Sequence, residues 1–348
     1  MTADEHGQVS PSSTDEVVEL IRGSVDAAAV GAALELGLFW LLEAGPLDAA
    51  AVGSALRIQP TRAGHWLDLL ASLGLLDRAE AGFVPSPRCR TSILATYDRE
   101  TWAMLALEAR ESTGAILDLP DRLRDDPATS GQGRPTSYVD RMVDDAARAR
   151  RFTRMLYEIH EPMAIEVAEQ LDLRGVRRFM DLGGGSGVVA LALLRRWPAL
   201  SVTVVDIDTV CRAGREIAAE LGMGARLAFH AADFMRDALP AGFDAVIECD
   251  VGVYDVALFA KVRRALVPGG RFLIVDELPS GDAPVDRSRV RWAFEASLIN
   301  PGFVPPTVAS IGAELRRAGF RAPPTTRVIA GSSTLIEAVR GRPGKPDD

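Results

Sequence analysis

The architecture is determined largely by the segment RFMDLGGGSG, residues 178–187. Its first half, Arg178–Leu182, is short and mostly apolar, which predicts a strand, and the apolar run Val188–Arg196 beyond it predicts a helix. The glycines between them let the backbone turn sharply and approach a ligand closely. Ligands of open α/β sheets bind beyond the carboxyl ends of the strands, which is where this loop lies.

Strands and helices alternate after this loop. The predicted strands are Ser201–Asp206, Arg226–His230, Phe243–Glu248 and Arg271–Asp276, and the predicted helices are Thr209–Leu221, Ala257–Leu266 and Val308–Ala318. Nearly continuous apolar strands that alternate with helices are typical of a parallel sheet covered on both faces. The last β-rich runs, Thr325–Ala330 and Ser333–Val339, are joined by the short Gly331-Ser332 turn and must be antiparallel. The predicted fold class is α/β, with a Rossmann-like, mostly parallel sheet whose last strand is antiparallel.

The ligand of the glycine loop is predicted from its acidic neighbours. Asp206 ends the second strand about twenty residues beyond the loop, where a carboxylate accepts hydrogen bonds from ribose hydroxyls. The spacing Gly183-x-Gly185-x-Gly187 departs from the Gly-x-Gly-x-x-Gly of dinucleotide sites. Asp181 beside the loop repels phosphate but suits an ammonium or sulfonium group. A cationic, phosphate-free ligand is therefore favoured; the alternative is a glycine turn that serves packing, followed by an ordinary aspartate at the end of a strand.

The N-terminal region has helical spacing of its apolar residues. Residues 15–100 predict a winged-helix arrangement, with Thr61 as a helix cap and a two-stranded wing over residues 75–85. DNA-reading helices present Arg, Lys, Asn or Gln to base edges, whereas the candidate helix Arg62–Leu76 is largely apolar. An apolar surface of this kind favours a protein interface instead.

The remaining boundaries follow from composition. Residues 101–175 predict a helical bridge that lines a substrate pocket, residues 176–340 a ligand-binding catalytic domain, and residues 1–14 and 341–348 disordered tails.

Charge and composition exclude several classes of protein. The chain of 348 residues has 39 basic and 48 acidic side chains, a net charge of −9, which argues against binding nucleic acid or an anionic membrane. No apolar run reaches the ~18 residues of a membrane span, and the N-terminus lacks a signal-peptide pattern, so a soluble cytoplasmic protein is expected. The three cysteines lie far apart and predict neither disulfides nor a metal site.

Several segments resemble known proteins. The stretches FMDLGGGSGVVALALLRRWP, VVDID, AADF and PGGRFLIVDE resemble S-adenosylmethionine-dependent methyltransferases. LGLFWLLEAGPLDAAAVG and LLASLGLLDR resemble the N-terminal dimerisation domain of plant-type and bacterial natural-product O-methyltransferases. The resemblance covers roughly residues 17–340. It implies S-adenosylmethionine as cofactor, a small-molecule substrate and a homodimer formed through the N-terminal domain.

The resemblance also implies cofactor-binding residues. Asp206 would hold the ribose, Asp233 would accept a hydrogen bond from the adenine amino group, and Phe234 would pack on the ring. Cys249 falls where the family often has a lysine near the cofactor; the alternative is a small buried thiol. The full predicted set is Asp181, Gly183, Gly185, Asp206, Ile207, Asp233, Phe234 and Cys249.

The resemblance fails at the catalytic base. The family places His-Asp-Trp after the fourth strand, and its histidine deprotonates the substrate hydroxyl, but here Val253 stands at the histidine position. Pro305 likewise replaces an orienting acid, while Asp276 matches the family's other acid. His160 is the histidine best placed to serve instead. The predicted catalytic candidates are His160, Asp250, Tyr254, Asp276 and Glu295.

The acceptor and the reaction remain open at this level. The expected pocket walls are aromatic and methionine side chains, which suit a flat or apolar acceptor: Trp102, Met104, Met155, Tyr157, Trp292, Phe294 and Phe303. The leading hypothesis is methylation of a small natural-product molecule, with oxygen as the default acceptor. The alternatives are methylation of carbon or nitrogen, or a different reaction (decarboxylation, hydroxylation or cyclisation) that retains the cofactor. Metal assistance by Glu248, Asp250 or Asp255 has no recognisable spacing, and no metal is predicted.

Overall fold

The chain consists of two compact units, Met1–Ser130 and Gly131–Asp348. The computed structural model describes residues 2–3, 9–10, 13–117, 119–124, 138–278, 287–300, 302–321, 324–329 and 333–342. The boundary between the units falls inside the stretch predicted as one helical bridge, residues 101–175. Most of the two predicted tails and the Gly331-Ser332 turn lie outside the described residues.

The first unit is a helical module with a small wing. Its elements are β1 (Thr2–Ala3), β2 (Val9–Ser10), α1 (Thr14–Leu36), α2 (Leu38–Glu43), α3 (Ala49–Leu56), α4 (Pro60–Ser72), β3 (Leu76–Ala79), β4 (Gly82–Pro85), α5 (Pro87–Cys89), a π-helical turn (Arg90–Leu94), α6 (Arg99–Leu117) and α7 (Leu119–Arg122). The antiparallel pair β3–β4 confirms the predicted wing. The expected Thr61 cap is wrong, because Pro60 takes the first helical position and the Gln59 side chain caps the N–H of Arg62 at 2.8 Å.

The core of the first unit explains why α6 belongs to it. Leu38, Phe39 and Leu67 are fully buried in one apolar cluster that also receives Ala106 of α6. Arg110 of α6 donates two hydrogen bonds to the carboxylate of Glu35 in α1, at 2.9 and 3.1 Å.

The second unit is a seven-stranded sheet with helices on both faces. Its elements are α8 (Tyr138–Val143), α9 (Ala146–Gln170), β5 (Arg178–Leu182), α10 (Val188–Arg196), β6 (Ser201–Asp206), α11 (Asp208–Glu220), β7 (Leu227–Ala231), β8 (Phe243–Cys249), α12 (Val256–Ala265), β9 (Leu266–Asp276), α13 (Arg287–Ile299), α14 (Val308–Arg317), β10 (Thr325–Val328) and β11 (Thr334–Val339). The strand order is β10-β11-β9-β8-β5-β6-β7.

The strand pairing confirms the predicted fold class. The strands β7, β6, β5, β8 and β9 are parallel to their neighbours, whereas β11 is antiparallel to both β9 and β10. Every strand predicted in this unit is present with ends shifted by a few residues. The helix α13 was not predicted.

Apolar side chains cover the sheet on two faces. Phe179 belongs to one buried cluster together with α9, α10 and Leu193, and Met180 belongs to the other together with Phe259 and Phe272. Successive strand residues point to opposite faces, so a one-residue shift in register would exchange the two cores. The register therefore fixes where each parallel strand ends, and β5, β6, β8 and β9 all present their carboxyl ends at the same edge.

We predict that Gly214→Ala, in the middle of α11, destabilises the fold. A helical glycine replaced by alanine usually stabilises a protein by about 0.4–1 kcal/mol. At Gly214, however, a Cβ atom would lie 2.9 Å from Cζ of Phe229 and 3.0 Å from the carbonyl oxygen of Gly185, so we expect a loss of about 1–3 kcal/mol in unfolding free energy.

Chemical denaturation measures this loss. The matched control is Gly64→Ala in α4. The atom nearest to the new Cβ there is the Cβ of Ala49, at 3.6 Å, which is an ordinary van der Waals contact. A Gly214→Ala variant as stable as the control contradicts the close packing of α11 against β7.

Candidate functional site

The glycine loop between β5 and α10 has a backbone that requires glycine. Gly183, Gly185 and Gly187 have φ of +68°, +55° and +76°, in the left-handed region that side chains disfavour. Gly184 lacks that strain, but a Cβ there would lie 2.6 Å from an oxygen of the Asp181 carboxylate. The loop is fastened to the sheet by the N–H of Gly183, which donates to the carbonyl of Val205 at 2.8 Å.

Asp206 links this loop to the end of β6. Its Oδ2 accepts from the N–H of Gly185 at 3.0 Å and its Oδ1 from the N–H of Ile207 at 2.7 Å. The residue is buried, and burial raises the pKa of Asp206 to about 6. A carboxylate oxygen has two lone pairs, so each oxygen can still accept one further hydrogen bond from a ligand.

Asp181 is a second buried carboxylate at the same edge of the sheet. Its Oδ2 accepts from the N–H of Ala190 at 3.2 Å, whereas Oδ1 is buried and has no hydrogen-bond partner. Burial, reinforced by the charge of Asp206, raises the pKa of Asp181 to about 7. An unpartnered buried oxygen is costly, and a ligand that carries a donor or a positive charge would satisfy it.

The turn after β7 carries Asp233 and Phe234. Asp233 stabilises the turn with both its backbone and its side chain: its carbonyl accepts from the N–H groups of Arg236 and Asp237, at 2.9 and 2.7 Å, and its Oδ1 accepts from the N–H of Met235 at 3.0 Å. The ring of Phe234 faces the glycine loop, 3.5 Å from the place where a Cβ of Gly183 would be.

These parts enclose a cavity of about 450 Å³ at the carboxyl edge of the sheet. All eight predicted cofactor-binding residues line it: Asp181, Gly183, Gly185, Asp206, Ile207, Asp233, Phe234 and Cys249. We call it the first cavity.

The opposite wall of the first cavity comes from α8 and α9 and was largely missed by the sequence analysis. Phe152, Leu156, His160 and Met163 line the cavity from α9, at the spacing of one helical face. That spacing is the signal that identifies them. Two expected wall residues of the same helix lie elsewhere: Met155 is buried, and Tyr157 packs against the core and donates to Glu161 at 3.1 Å.

His160 and Asp250 meet in the first cavity. Nε2 of His160 lies 3.5 Å from Oδ2 of Asp250, within ion-pair range. Burial lowers the pKa of His160, which favours the neutral imidazole that can act as a base. Asp250 has φ +55°, in the left-handed region that residues other than glycine adopt uncommonly, and such conformations are often found at functional positions.

The charge of Asp250 depends on its surroundings. Desolvation in the concave cavity, followed by repulsion from Asp276 and Glu277, raises the pKa of Asp250 to about 6. Because 63% of its side chain is still exposed, solvent weakens this effect. At neutral pH the geometry therefore combines an uncharged His160 with an ionised Asp250.

Cys249 is the last residue of β8 and lines the same cavity. Its Sγ is 3.7 Å from Sδ of Met163. Burial, with neighbouring carboxylates, raises the pKa of the Cys249 thiol well above its usual range, so the thiol stays neutral where the family often has a lysine. The cavity thus has a soft, polarizable patch of two sulfur atoms at this point.

The other catalytic candidates are not brought to this cavity. Tyr254 donates a hydrogen bond to Oδ2 of Asp276, and both residues line a second cavity of about 350 Å³. Burial and the carboxylate of Asp276 raise the pKa of Tyr254 strongly, so it is a poor base at neutral pH. Glu295 lies exposed on α13 and lines neither of these two cavities.

The segment 250–254 separates the two cavities. Asp250, Val251 and Val253 line the first one, whereas Gly252 and Tyr254 line the second. Glu248 of β8 is completely buried. The Val253 N–H lies near its carboxylate, but neither carboxylate oxygen of Glu248 makes a hydrogen bond of ordinary geometry. Burial raises the pKa of Glu248 well above its usual value.

The remaining expected pocket walls are divided between the two units. Trp292, Phe303 and Pro305 line the second cavity. The rings of Trp292 and Phe303 are in edge-to-face contact, with their centroids 5.2 Å apart. Phe294 is exposed on α13. In the first unit, Met104 is buried and Nε1 of Trp102 donates to the carbonyl of Ile93 at 3.0 Å. Among the described residues there is no group of three or more His, Cys, Asp or Glu side chains arranged to hold a metal ion.

Comparison with known proteins identifies the family. Residues 123–301 match the O-methyltransferase domain, and residues 18–94 match the O-methyltransferase dimerisation domain. A 3-hydroxy-5-methyl-1-naphthoate 3-O-methyltransferase of Streptomyces sahachiroi is 32% identical over 278 residues, which are 78% of this chain and 79% of that protein. The chain belongs to the O-methyltransferase family.

A second relative and one solved structure are also similar to this chain. The N,N-dimethyltransferase OxyT of Streptomyces rimosus is 29% identical over 319 residues, 90% of this chain and 92% of its own length. The solved structure "PigF with SAH" superimposes with a TM-score of 0.83 at 21% identity, over 94% of this chain and 99% of that one, which shows the shared fold. The resemblance stated from sequence is confirmed, and the protein is an S-adenosylmethionine-dependent methyltransferase. None of the helices in the described ranges is long and apolar enough to span a membrane.

We predict that Asp181→Asn stabilises the ligand-free methyltransferase at alkaline pH. A carboxylic acid whose folded pKa is about 7 instead of 3.8 binds its proton more tightly in the folded state. The free energy of unfolding of the wild type therefore falls by at most about 4 kcal/mol as pH rises from about 4 to about 7 and the Asp181 carboxyl loses its proton. The asparagine variant has no such proton to lose and does not show this fall.

Thermal unfolding at pH 5 and pH 8.5 tests the sign. The stability advantage of Asp181→Asn should be larger at pH 8.5. The control Asp208→Asn makes the same chemical change at an exposed residue and should show no such pH dependence. If Asp181→Asn is more stable than the wild type by the same amount at both pH values, ionisation of Asp181 does not destabilise the folded protein.

Proposed function

We propose that this O-methyltransferase methylates a hydroxyl group of a small aromatic natural product, with the first cavity as cofactor site and His160 as general base. The observation that carries the proposal is the placement of His160 and Asp250 in the same cavity as Asp181, Asp206 and the glycine loop. A family member that lacks the usual histidine at Val253 thus has another imidazole within reach of the cofactor site.

The lining of the first cavity fits S-adenosylmethionine. Asp206 has one free lone pair on each oxygen for the two ribose hydroxyls, while its other contacts hold the loop. The unpartnered Oδ1 of Asp181 suits the ammonium group of the methionine part, or a water that bridges to it. Asp233 accepts from the adenine amino group, and Phe234 packs on the ring. When bound, the cofactor supplies an electrophilic methyl group on a sulfonium.

His160 supplies the proton acceptor. Burial keeps its imidazole neutral, and the carboxylate of Asp250 at 3.5 Å orients the ring and stabilises the imidazolium that forms when a hydroxyl proton is taken. Catalytic hydrogen bonds are often long in ligand-free structures and tighten around the substrate. The remaining acceleration comes from holding the two reactants in line.

The class of acceptor is inferred from the cavity wall and from a relative. Phe152, Leu156 and Met163 form an apolar wall that suits a flat ring. The relative from Streptomyces sahachiroi is named for methylation of 3-hydroxy-5-methyl-1-naphthoate. That compound is therefore the first acceptor to test.

A second candidate function is N-methylation. OxyT is named as an N,N-dimethyltransferase, and a neutral amine needs no base before it attacks a methyl group. C-methylation, and a reaction that retains the cofactor without transferring methyl, are further alternatives. Labelled methyl counting separates methyl transfer to any acceptor atom from a reaction that retains the cofactor, because only methyl transfer places one labelled methyl in the product for each S-adenosylhomocysteine formed. The position of the label in the product then distinguishes an oxygen, nitrogen or carbon acceptor.

The assembly is proposed to be a homodimer. Residues 18–94 match the dimerisation domain, and one face of α1 exposes the apolar side chains of Val17, Leu20, Ile21 and Val25. Contiguous apolar surface of this kind favours burial against a second copy.

We predict that Asp206→Ala weakens S-adenosylhomocysteine binding at least about 100-fold. The variant loses two hydrogen bonds from ribose to a carboxylate, each worth about 1.5–3 kcal/mol. Calorimetric titration measures the dissociation constant. The control Asp208→Ala removes an exposed carboxylate two residues away that pairs with Arg212, and it should bind normally. Wild-type affinity in a folded Asp206→Ala protein would remove the ribose assignment.

We predict that His160→Ala lowers kcat at pH 7 by about 10²–10⁴-fold with a hydroxyl acceptor. The loss should shrink as pH rises toward the pKa of the acceptor hydroxyl, since an ionised acceptor needs no base. Wild-type kcat should fall at acid pH with an apparent pKa below 6.5, because burial lowers the pKa of His160 and protonation inactivates it.

Initial rates with 3-hydroxy-5-methyl-1-naphthoate and labelled cofactor test this base. His65→Ala, which removes an exposed imidazole in α4, is the control. An unchanged kcat and pH profile in His160→Ala eliminates His160 as the base, whereas methyl transfer to an amine alone supports the second candidate.

A further inference from the structure

We propose that Lys261 is the positioning residue of the adenine-binding turn, residues 233–237, and so sets the nucleobase selectivity of this methyltransferase. The inference rests on the proposed roles of Asp233 and Phe234. Nζ of Lys261 donates to three carbonyl oxygens of that turn: those of Phe234 at 3.0 Å, Met235 at 2.9 Å and Asp237 at 2.9 Å.

The choice of lysine at this position follows from geometry. The chain has 39 basic side chains, of which only Lys261 and Lys345 are lysines. An ammonium directs three N–H groups tetrahedrally and can serve three carbonyls that converge on one point. A guanidinium is a planar fork, so it cannot reproduce the same three contacts.

The helix that carries Lys261 provides a rigid support. Leu258, one turn before Lys261, and Val262, directly after it, are both buried. Phe259 of the same helix contacts Phe272 edge to face, with ring centroids 5.4 Å apart. Asp255 caps the helix by accepting from the N–H of Leu258 at 2.7 Å. Lys261 therefore connects a turn on the cavity rim to an element fixed in the core.

The turn depends on this support to present its functional groups. Its internal contacts involve Asp233 and Asp237: the Asp237 carboxylate accepts from the N–H of Asp233 at 2.8 Å. Met235, Arg236 and Asp237 are exposed, so packing contributes little to their position. Lys261 binds three carbonyls of the turn from outside it. Within the turn, the Asp233 carboxylate accepts from the N–H of Met235 at 3.0 Å and lies 3.6 Å from Nε of Arg236, so Lys261 acts on this carboxylate and on the Phe234 ring through the backbone that carries them.

The test compares two nucleosides that differ at the adenine amino group. S-adenosylhomocysteine carries the amino donor, whereas S-inosylhomocysteine carries a carbonyl that Asp233 repels. The wild-type enzyme should prefer the first. In Lys261→Met we expect affinity for S-adenosylhomocysteine to fall at least tenfold and the preference over S-inosylhomocysteine to fall by a similar factor. KM for S-adenosylmethionine should rise with kcat at saturation retained.

Two further variants keep the result interpretable. Arg264→Met removes a positive charge from the exposed face of the same helix and should leave affinity and preference unchanged. Lys261→Arg keeps the charge and should give intermediate values, and it serves as the test if Lys261→Met does not fold. Wild-type affinity and preference in the folded Lys261 variants would overturn the proposal, as would a loss of affinity with the preference intact.

Failure of the proposed function is visible separately in the wild type. A folded wild-type enzyme that does not bind S-adenosylhomocysteine contradicts the cofactor site itself. A wild-type enzyme that binds both nucleosides equally contradicts the role of Asp233 in recognising the amino group, before any variant is considered.

Discussion

The site depends on one buried carboxylate that joins two neighbouring segments of backbone. Asp206 accepts one N–H from Gly185 of the glycine loop and one from Ile207, so its side chain, together with the hydrogen bond from the Gly183 N–H to the Val205 carbonyl, holds the turn after β5 to the end of β6. The strands themselves are held in register by the two apolar cores. Because loop and strand end are fixed together, the lone pairs left on Asp206 point into a cavity whose shape is already defined.

This arrangement has an electrostatic cost in the ligand-free enzyme. Asp181, Asp206 and Glu248 are buried at one edge of the sheet, and burial raises the pKa of each carboxyl. An environment that disfavours negative charge favours a ligand that brings positive charge or hydrogen-bond donors. Asp181 and Asp206, which line the first cavity, are therefore expected to destabilise the ligand-free protein at alkaline pH and, in the function that we propose, to favour a cationic nucleoside. This is a physical reason for the preference over phosphate that the loop sequence suggested.

Much of the second unit could be predicted from sequence because its signals are local. The alternation of apolar strands and helices, the glycines of 183–187 and the acid at Asp206 each act through neighbouring residues, and the family resemblance placed them in one site. The face of α9 was harder, since an amphipathic helix has a core side and a cavity side that look alike in composition. Met155 and Tyr157 were expected to line the pocket, but Phe152, Leu156 and Met163 do so. The three-way contact of Lys261 has no sequence signal, because it joins a helix to a turn 24–27 residues earlier.

Val253, which stands at the position of the family histidine, lies on the segment 250–254 and lines the first cavity. Asp250, Val251 and Val253 of this segment line the first cavity, whereas Gly252 and Tyr254 line the second, where Tyr254 donates to Asp276. An apolar Val253 leaves that wall without a base, but the left-handed backbone of Asp250 brings a carboxylate within 3.5 Å of His160 on the opposite wall. A general base needs only an imidazole, an orienting acid and the right distance to the acceptor. In the mechanism that we propose, the orienting acid stays on the segment after β8 and the imidazole comes from α9, so the wall formed by α9 provides both the apolar surface for the acceptor and the group that takes its proton.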